Sequence, residues 1–162
     1  HVTSRTILRW MDDGIFDATI APVESLRAAG RLGDAGNPLP APWLTAPGRG
    51  ALIVVGPWES PLREALLSIE DRGARLELIA ERTLAGIVAS WGALACGVEA
   101  RCRQARLDLS ARVFPADGGP PVHATRSGEG SAQGALRLAS IVARELDEAG
   151  GSRWGGVGPT DS

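Results

Sequence analysis

Two thiols and seventeen guanidinium groups are the side chains of this 162-residue chain best suited to chemistry. Cys96 and Cys102 are the only cysteines, so covalent attachment through sulfur falls to one of them. They are too few for a disulfide framework, and no His pair accompanies them to make a zinc site. Reduced thiols in a cytoplasmic protein are expected. All 17 basic residues are Arg, and there is no Lys. Each cation is therefore a planar fork that can hold a carboxylate through two parallel hydrogen bonds. His123 has neither carboxylate nor Cys beside it in sequence and reads as an exposed strand residue, not a metal ligand. Trp10, Trp43, Trp58, Trp91 and Trp154 follow no period, which suits packing anchors better than a stacking platform.

The composition is that of a soluble globular protein, with 44% apolar residues, 22% charged residues and a net charge of −2. That balance points to neither nucleic acid nor a membrane surface as partner. No apolar run approaches the length of a membrane-spanning helix. The start, His1-Val2-Thr3-Ser4-Arg5, has no initiator Met and no apolar signal region, so the chain is expected to begin within a longer protein.

The elements that must position these groups fall into two styles. Ile7, Leu8 and Met11 mark a short amphipathic helix ended at Asp12-Asp13-Gly14. Phe16 to Ala21 reads as a buried strand and Val23 to Arg31 as a helix, with Pro22 near its first turn. Gly33 to Pro47 is loop-like, and Ala51 to Val55 is a continuous apolar run of the kind buried on both faces of a parallel sheet. Pro61 to Glu70 is expected to be helical, with Ser60 as its N-cap and Gly73 as its stop. From Ala74 the pattern changes. A helix carries Leu76, Ile79, Ala80, Thr83, Leu84 and Ile87, and alternating runs follow at 105–113 and 121–125 around hairpin chemistry at 115–119. Ala132 to Ala149 closes as an amphipathic helix, and the Gly-rich tail is expected to be disordered.

Several segments resemble hydroxymethylbilane synthase (porphobilinogen deaminase). Leu44-Thr45-Ala46-Pro47-Gly48-Arg49-Gly50-Ala51-Leu52 is similar to the family's "LPAPGQGAL", with Arg49 where the family has Gln. Ala80-Glu81-Arg82-Thr83-Leu84 resembles its "AERAL" helix. Asp13-Gly14-Ile15-Phe16-Asp17-Ala18 is similar to "DxGEYDAI", and Asp71 to Leu76 to the lead into the family's third domain. Leu107 to Val113 with Pro115-Ala116-Asp117-Gly118 resembles the "LxLxAxVxxPDG" hairpin. The resemblance runs in order over roughly residues 1–150.

It implies a fold of α/β plus α+β: partial lobes like those of a periplasmic binding protein, then a small α+β domain with an antiparallel sheet. Residues 1–46 would be the rear of the second α/β lobe, 47–72 the return segment of the first, 73–150 the carboxyl-terminal domain and 151–162 a disordered tail. The implied activity is a transferase that polymerises four porphobilinogen units with loss of ammonia in tetrapyrrole (haem) biosynthesis. The family grows its product on a dipyrromethane cofactor linked to a cysteine eleven residues after the "AER" glutamate, and here that position is Gly92. Glycine has no nucleophile, so the cofactor is expected not to be attached there. A one-turn insertion would put Cys96 on the primer loop; without a gap, Cys96 is an apolar loop residue beside Gly97. Arg5, on a two-residue shift, and Arg31, allowing three extra residues before "RLG", match cleft arginines that pair the acetate and propionate groups of pyrroles. Without a shift, His1 falls where the family has the Arg that begins "RGNV", and Ile7 falls where it has the Arg of "TRL", the position that Arg5 takes on the shifted reading. The expected partners are porphobilinogen or other pyrrole carboxylates and an amino-terminal half absent from this chain. The alternative is a non-catalytic paralogue that keeps the fold as a binding or interaction protein.

Overall fold

The computed structural model of the protein describes residues 4–39, 43–57, 59–92, 95–114 and 120–154. The chain divides into two compact units, His1–Ala41 and Pro42–Ser162.

The first unit holds two short helices, α1 (Ser4–Asp12) and α2 (Val23–Ala28), and a 3-10 turn at Leu32–Asp34. Leu8 and Leu26 are the only described side chains of this unit that are buried. Polar contacts supply much of the rest. The Arg31 guanidinium grips both oxygens of Asp12 at 2.7 and 2.8 Å and reaches Asp34 at 2.5 Å. The strand expected over residues 16–21 does not form, and Phe16 and Ile20 are exposed. An isolated apolar run has no ladder to join, and an unpaired strand leaves its backbone to water. The Phe16 ring instead meets Trp10 edge-on, with centroids 5.7 Å apart.

The second unit carries α3 (Arg63–Ser68), α4 (Arg72–Ala89), strands β1 (Ala95–Arg103), β2 (Arg106–Phe114) and β3 (Val122–Glu129), helix α5 (Ala132–Glu148) and a 3-10 turn at Gly151–Trp154. The three strands form one antiparallel sheet in the order β1-β2-β3. This is the mixed helix-and-antiparallel-sheet architecture that the period-2 runs foretold. Leu107, Leu109, Ala111 and Val113 alternate inward on β2, and each is fully buried. On α4 the residues Leu76, Ala80, Leu84 and Val88 recur every fourth position to make one buried stripe. Ala135, Leu138, Ala139, Val142, Ala143 and Leu146 do the same on α5, and both helices press these stripes onto one face of the sheet. Each helix begins on a side-chain cap: the Asp71 carboxylate accepts from Ala74 N at 3.0 Å, and Ser131 Oγ from Gly134 N at 3.0 Å.

Four expectations for this unit are corrected. Ala51 to Val55 forms no strand, and Leu52 is 99% exposed, because no described strand lies beside it. Gly73 does not stop α3 but lies in the first turn of α4, which Asp71 caps. Ser60 does not occupy the N-cap of α3, a place held by Leu62, although Ser60 Oγ accepts from Leu62 N at 3.2 Å. Cys96 lies on no loop: it pairs with Val113 near the start of β1, a strand the sequence pattern had not marked. The hairpin at 115–119 lies outside the described residues, as does the tail beyond 154. Residues 151–154 close as a 3-10 turn. No described helix is long and apolar enough to cross a membrane.

Candidate functional site

The two segments that most resemble hydroxymethylbilane synthase meet in space, and one carboxylate joins them. Glu81, on the flank of the α4 stripe, accepts from Gly48 N through Oε2 at 2.7 Å. Its other oxygen accepts from Ala100 N on β1 at 2.9 Å. One turn earlier, Glu77 Oε1 accepts from Cys102 N at 2.7 Å. Both glutamates are half-buried beside the core. A third donor on this side of β1, Val98 N, goes to Thr45 O at 2.8 Å. The outer edge of β1 is thus closed by two helix carboxylates and a passing chain segment, which protects an edge that would otherwise be open to pairing.

Gly97 makes that passage possible. A Cβ there would stand 2.8 Å from Leu44 Cβ and 3.0 Å from the Leu44 carbonyl oxygen. Only a residue without a side chain lets 44–45 lie this close to the strand.

Gly92 follows the last turn of α4, its N–H donating to Ala89 O at 3.2 Å. Its φ is +128°, a backbone state that residues with a Cβ rarely adopt. Trp91 beside it packs against the core, within 3.5 Å of where a Cβ on Gly151 would be.

Cys96 is half-buried against the core, and burial pushes its thiol up to about 11. A thiol so shifted is almost wholly protonated at neutral pH, and the thiolate is the nucleophile. Cys102 lies at the opposite end of the same strand, paired with Leu107. Alkylation of Cys96 by iodoacetamide is therefore expected to be slow at pH 8 and to accelerate toward pH 11. The unfolded thiol titrates at about 8.5. The buried thiol's contribution to stability is accordingly complete below that value and is lost as pH rises through about 11. Peptide mapping of labelled protein tests this, and rapid labelling of Cys96 in the folded chain at pH 7 would contradict it.

Arg31 is engaged within its own unit. Asp12 and Asp34 bind it, and the hydrogen bond to Asp12, followed by that to Asp34, raises its pKa further above the ordinary arginine value. A free carboxylate ligand would have to displace them. Arg5 lies exposed in the first turn of α1. His123 is exposed on β3, its Nε2 3.1 Å from Thr125 Oγ1, which donates to Ser110 Oγ at 3.0 Å. The solvent face of the sheet also carries Asp108, held below the usual carboxylate range by hydrogen bonds first from Ser127 and then from Arg106.

Glu77 is the contact that sequence reasoning missed. Its signal was a second glutamate one turn before Glu81, on the flank of an apolar stripe where solvated charge is not expected.

Comparison with known proteins gives one partial likeness. No family model matches the chain. Over 85 residues, 52% of this chain, it is 33% identical to a protein of Nitrosopumilus maritimus (strain SCM1) named probable porphobilinogen deaminase. The match covers 27% of that protein's length.

Proposed function

We propose that the chain is a hydroxymethylbilane synthase homologue of carboxyl-terminal type that carries no primer of its own and makes no hydroxymethylbilane alone. The observation that carries this reading is the 2.7 Å hydrogen bond from Gly48 N to Glu81, which ties the "APGRGAL" segment to the "AERTL" helix. Two stretches chosen for their likeness to one family have a structural reason to occur together. The partial likeness to a probable porphobilinogen deaminase supports the same relation.

The residues present do not suit a dipyrromethane. Position 92 lacks a nucleophile and has a backbone state that favours glycine. Cys96 is protonated and turned toward the core, in a strand. In this reading residues 1–46 and 47–72 are pieces of the two α/β lobes, and the runs at 16–21 and 51–55 are strands whose neighbours belong to a complementary polypeptide. Arg5 would bind pyrrole carboxylates there, and Arg31 only after release from Asp12 and Asp34. The fully non-catalytic reading, an interaction protein on the same fold, is favoured by Trp91, whose packing on the core leaves a bulky plug where the family has an exposed loop.

Intact mass after incubation with porphobilinogen tests the proposal. The chain, alone or with a complementary amino-terminal half, is expected to gain no covalent pyrrole. An adduct that disappears in Cys96→Ser would overturn it and identify the anchor. Hydroxymethylbilane formed by the unaided chain would overturn it as well.

A further inference from the structure

The sheet has two edges, and among the described residues the chain covers most of one and none of the other. On β1 the outward N–H groups of Val98, Ala100 and Cys102 each have an acceptor from their own chain, and that of Cys96, at the start of the strand, has none among the described residues. Because N–H and C=O of one residue point the same way, the odd residues of β1 bond to β2. The register Gly97↔Arg112 and Glu99↔Ser110 then turns the odd residues of β2 toward β3. Their partners on β3 are the even residues, Leu109↔Arg126 and Ala111↔Ala124 among them. The N–H groups of His123, Thr125 and Ser127 therefore point outward, and none has an acceptor among the described residues. A trough of about 280 Å³ runs beside this edge, lined by Ser127 and Gly128 of β3 and by Gly134, Arg137, Leu138 and Ile141 of α5.

The same unit holds an unpaired segment of strand-forming sequence. Leu52, Ile53, Val54 and Val55 are 99%, 57%, 64% and 90% exposed and belong to no helix or strand. β-branched residues in a row suit a sheet position, and a contiguous exposed apolar segment marks an association site.

We propose that residues 51–55 of one copy add to the β3 edge of a second copy as an antiparallel fourth strand. Charge selects the occupant and the direction. Arg49 precedes the segment and Glu129 ends β3, and neither side chain has a partner among the described residues. Antiparallel pairing with Ile53 opposite Thr125 brings Arg49 beside Glu129; parallel pairing sets it at the Arg112–His123 end. In that register Leu52 and Val54 lie on the helix side of the sheet, Leu52 diagonal to Gly128 and facing the trough. Main-chain hydrogen bonds supply affinity and the alternate side chains supply specificity, as in other strand additions. Reciprocal exchange closes a dimer, and one-way exchange builds a chain of copies. The association concerns the 162-residue chain by itself and does not depend on its being a synthase homologue.

Sedimentation velocity of the full chain, from about 10 μM to about 1 mM, tests the proposal. Concentration-dependent association is expected, weakened about tenfold or more by Ile53→Pro, which removes a donor that this register turns toward β3, in a segment with no hydrogen-bonded structure of its own. Thr125→Pro should do the same, since it removes an outward donor and leaves the β2–β3 ladder intact. Arg49→Glu and Glu129→Arg should each weaken association, and the doubly reversed chain should recover it. A monomer throughout that range, association unchanged by Ile53→Pro, or no recovery in the double reversal would overturn the proposal.

Discussion

Leu84→Ala is expected to destabilise the 42–162 unit by about 2–5 kcal/mol, the cost of deleting a buried leucine from a core that collapses only partly around the gap. Leu84 is fully buried at the middle of the α4 stripe, where that helix meets the sheet and α5. Its neighbours along the helix are Ala80 and Val88. Alanine above it and valine below leave little side chain to swing into the void. The Trp91 ring, packed against the same core, reports unfolding by fluorescence as urea is raised. Leu52→Ala is the matched comparison, since Leu52 is 99% exposed and its truncation should stay within about 0.5 kcal/mol. Equal midpoint shifts for the two variants would show that the core does not lie where the structure places it.

Glu81→Leu is expected to cost about 2–6 kcal/mol, because two donors lose their acceptor at once and each stranded N–H costs about 1–3 kcal/mol. The leucine keeps helix propensity and bulk, so the loss reports the hydrogen bonds to Gly48 N and Ala100 N. Glu81→Gln should fall between. Its carbonyl oxygen can serve one donor, but its NH₂ faces the other with nothing to accept. Amide exchange separates this from a general loss of stability. Gly48 and Ala100 should exchange much faster in Glu81→Leu, while Cys102, whose N–H is held by Glu77, changes only with global stability. Unaltered protection at Ala100 would mean that the carboxylate does not close this edge.

How much of this was legible in the sequence depends on how far each element relies on its neighbours. The stripe of α4, the stripe of α5 and the alternation of β2 carry large apolar residues at the period of their own structure, and they were readable. The β1 strand alternates too, but its inward residues are Cys96, Val98, Ala100 and Cys102, three of them small, and the alternation is too faint to notice. The runs at 16–21 and 51–55 failed in the opposite way. Their residues are strong strand formers, yet a strand exists only beside another strand, and this chain offers them none that is described. At the candidate site, Glu81 was conspicuous as part of a motif, but sequence cannot tell a carboxylate that pairs with an arginine from one that accepts backbone N–H groups. Arg31 shows the same limit. Its place in "GRLG" suggested a ligand contact, and only folding brings it to Asp12, nineteen residues earlier in the chain.

The two glutamates on α4 work as a vernier. Four residues of an α-helix advance about 6 Å. Successive outward donors of a strand are about 6.7 Å apart. Glu77 and Glu81 can therefore serve Cys102 and Ala100 together with a mismatch of about 0.7 Å, which side-chain torsions absorb. A third step would double the error to about 1.4 Å, beyond the spread of good hydrogen-bond lengths. The residue at that third step is Ala85, which has nothing to offer, and the third donor, Val98 N, is met by the Thr45 carbonyl. The length of edge that a helix can close with its own side chains is thus set by two incommensurate repeats, and the covering segment at 44–48 begins where the coincidence ends.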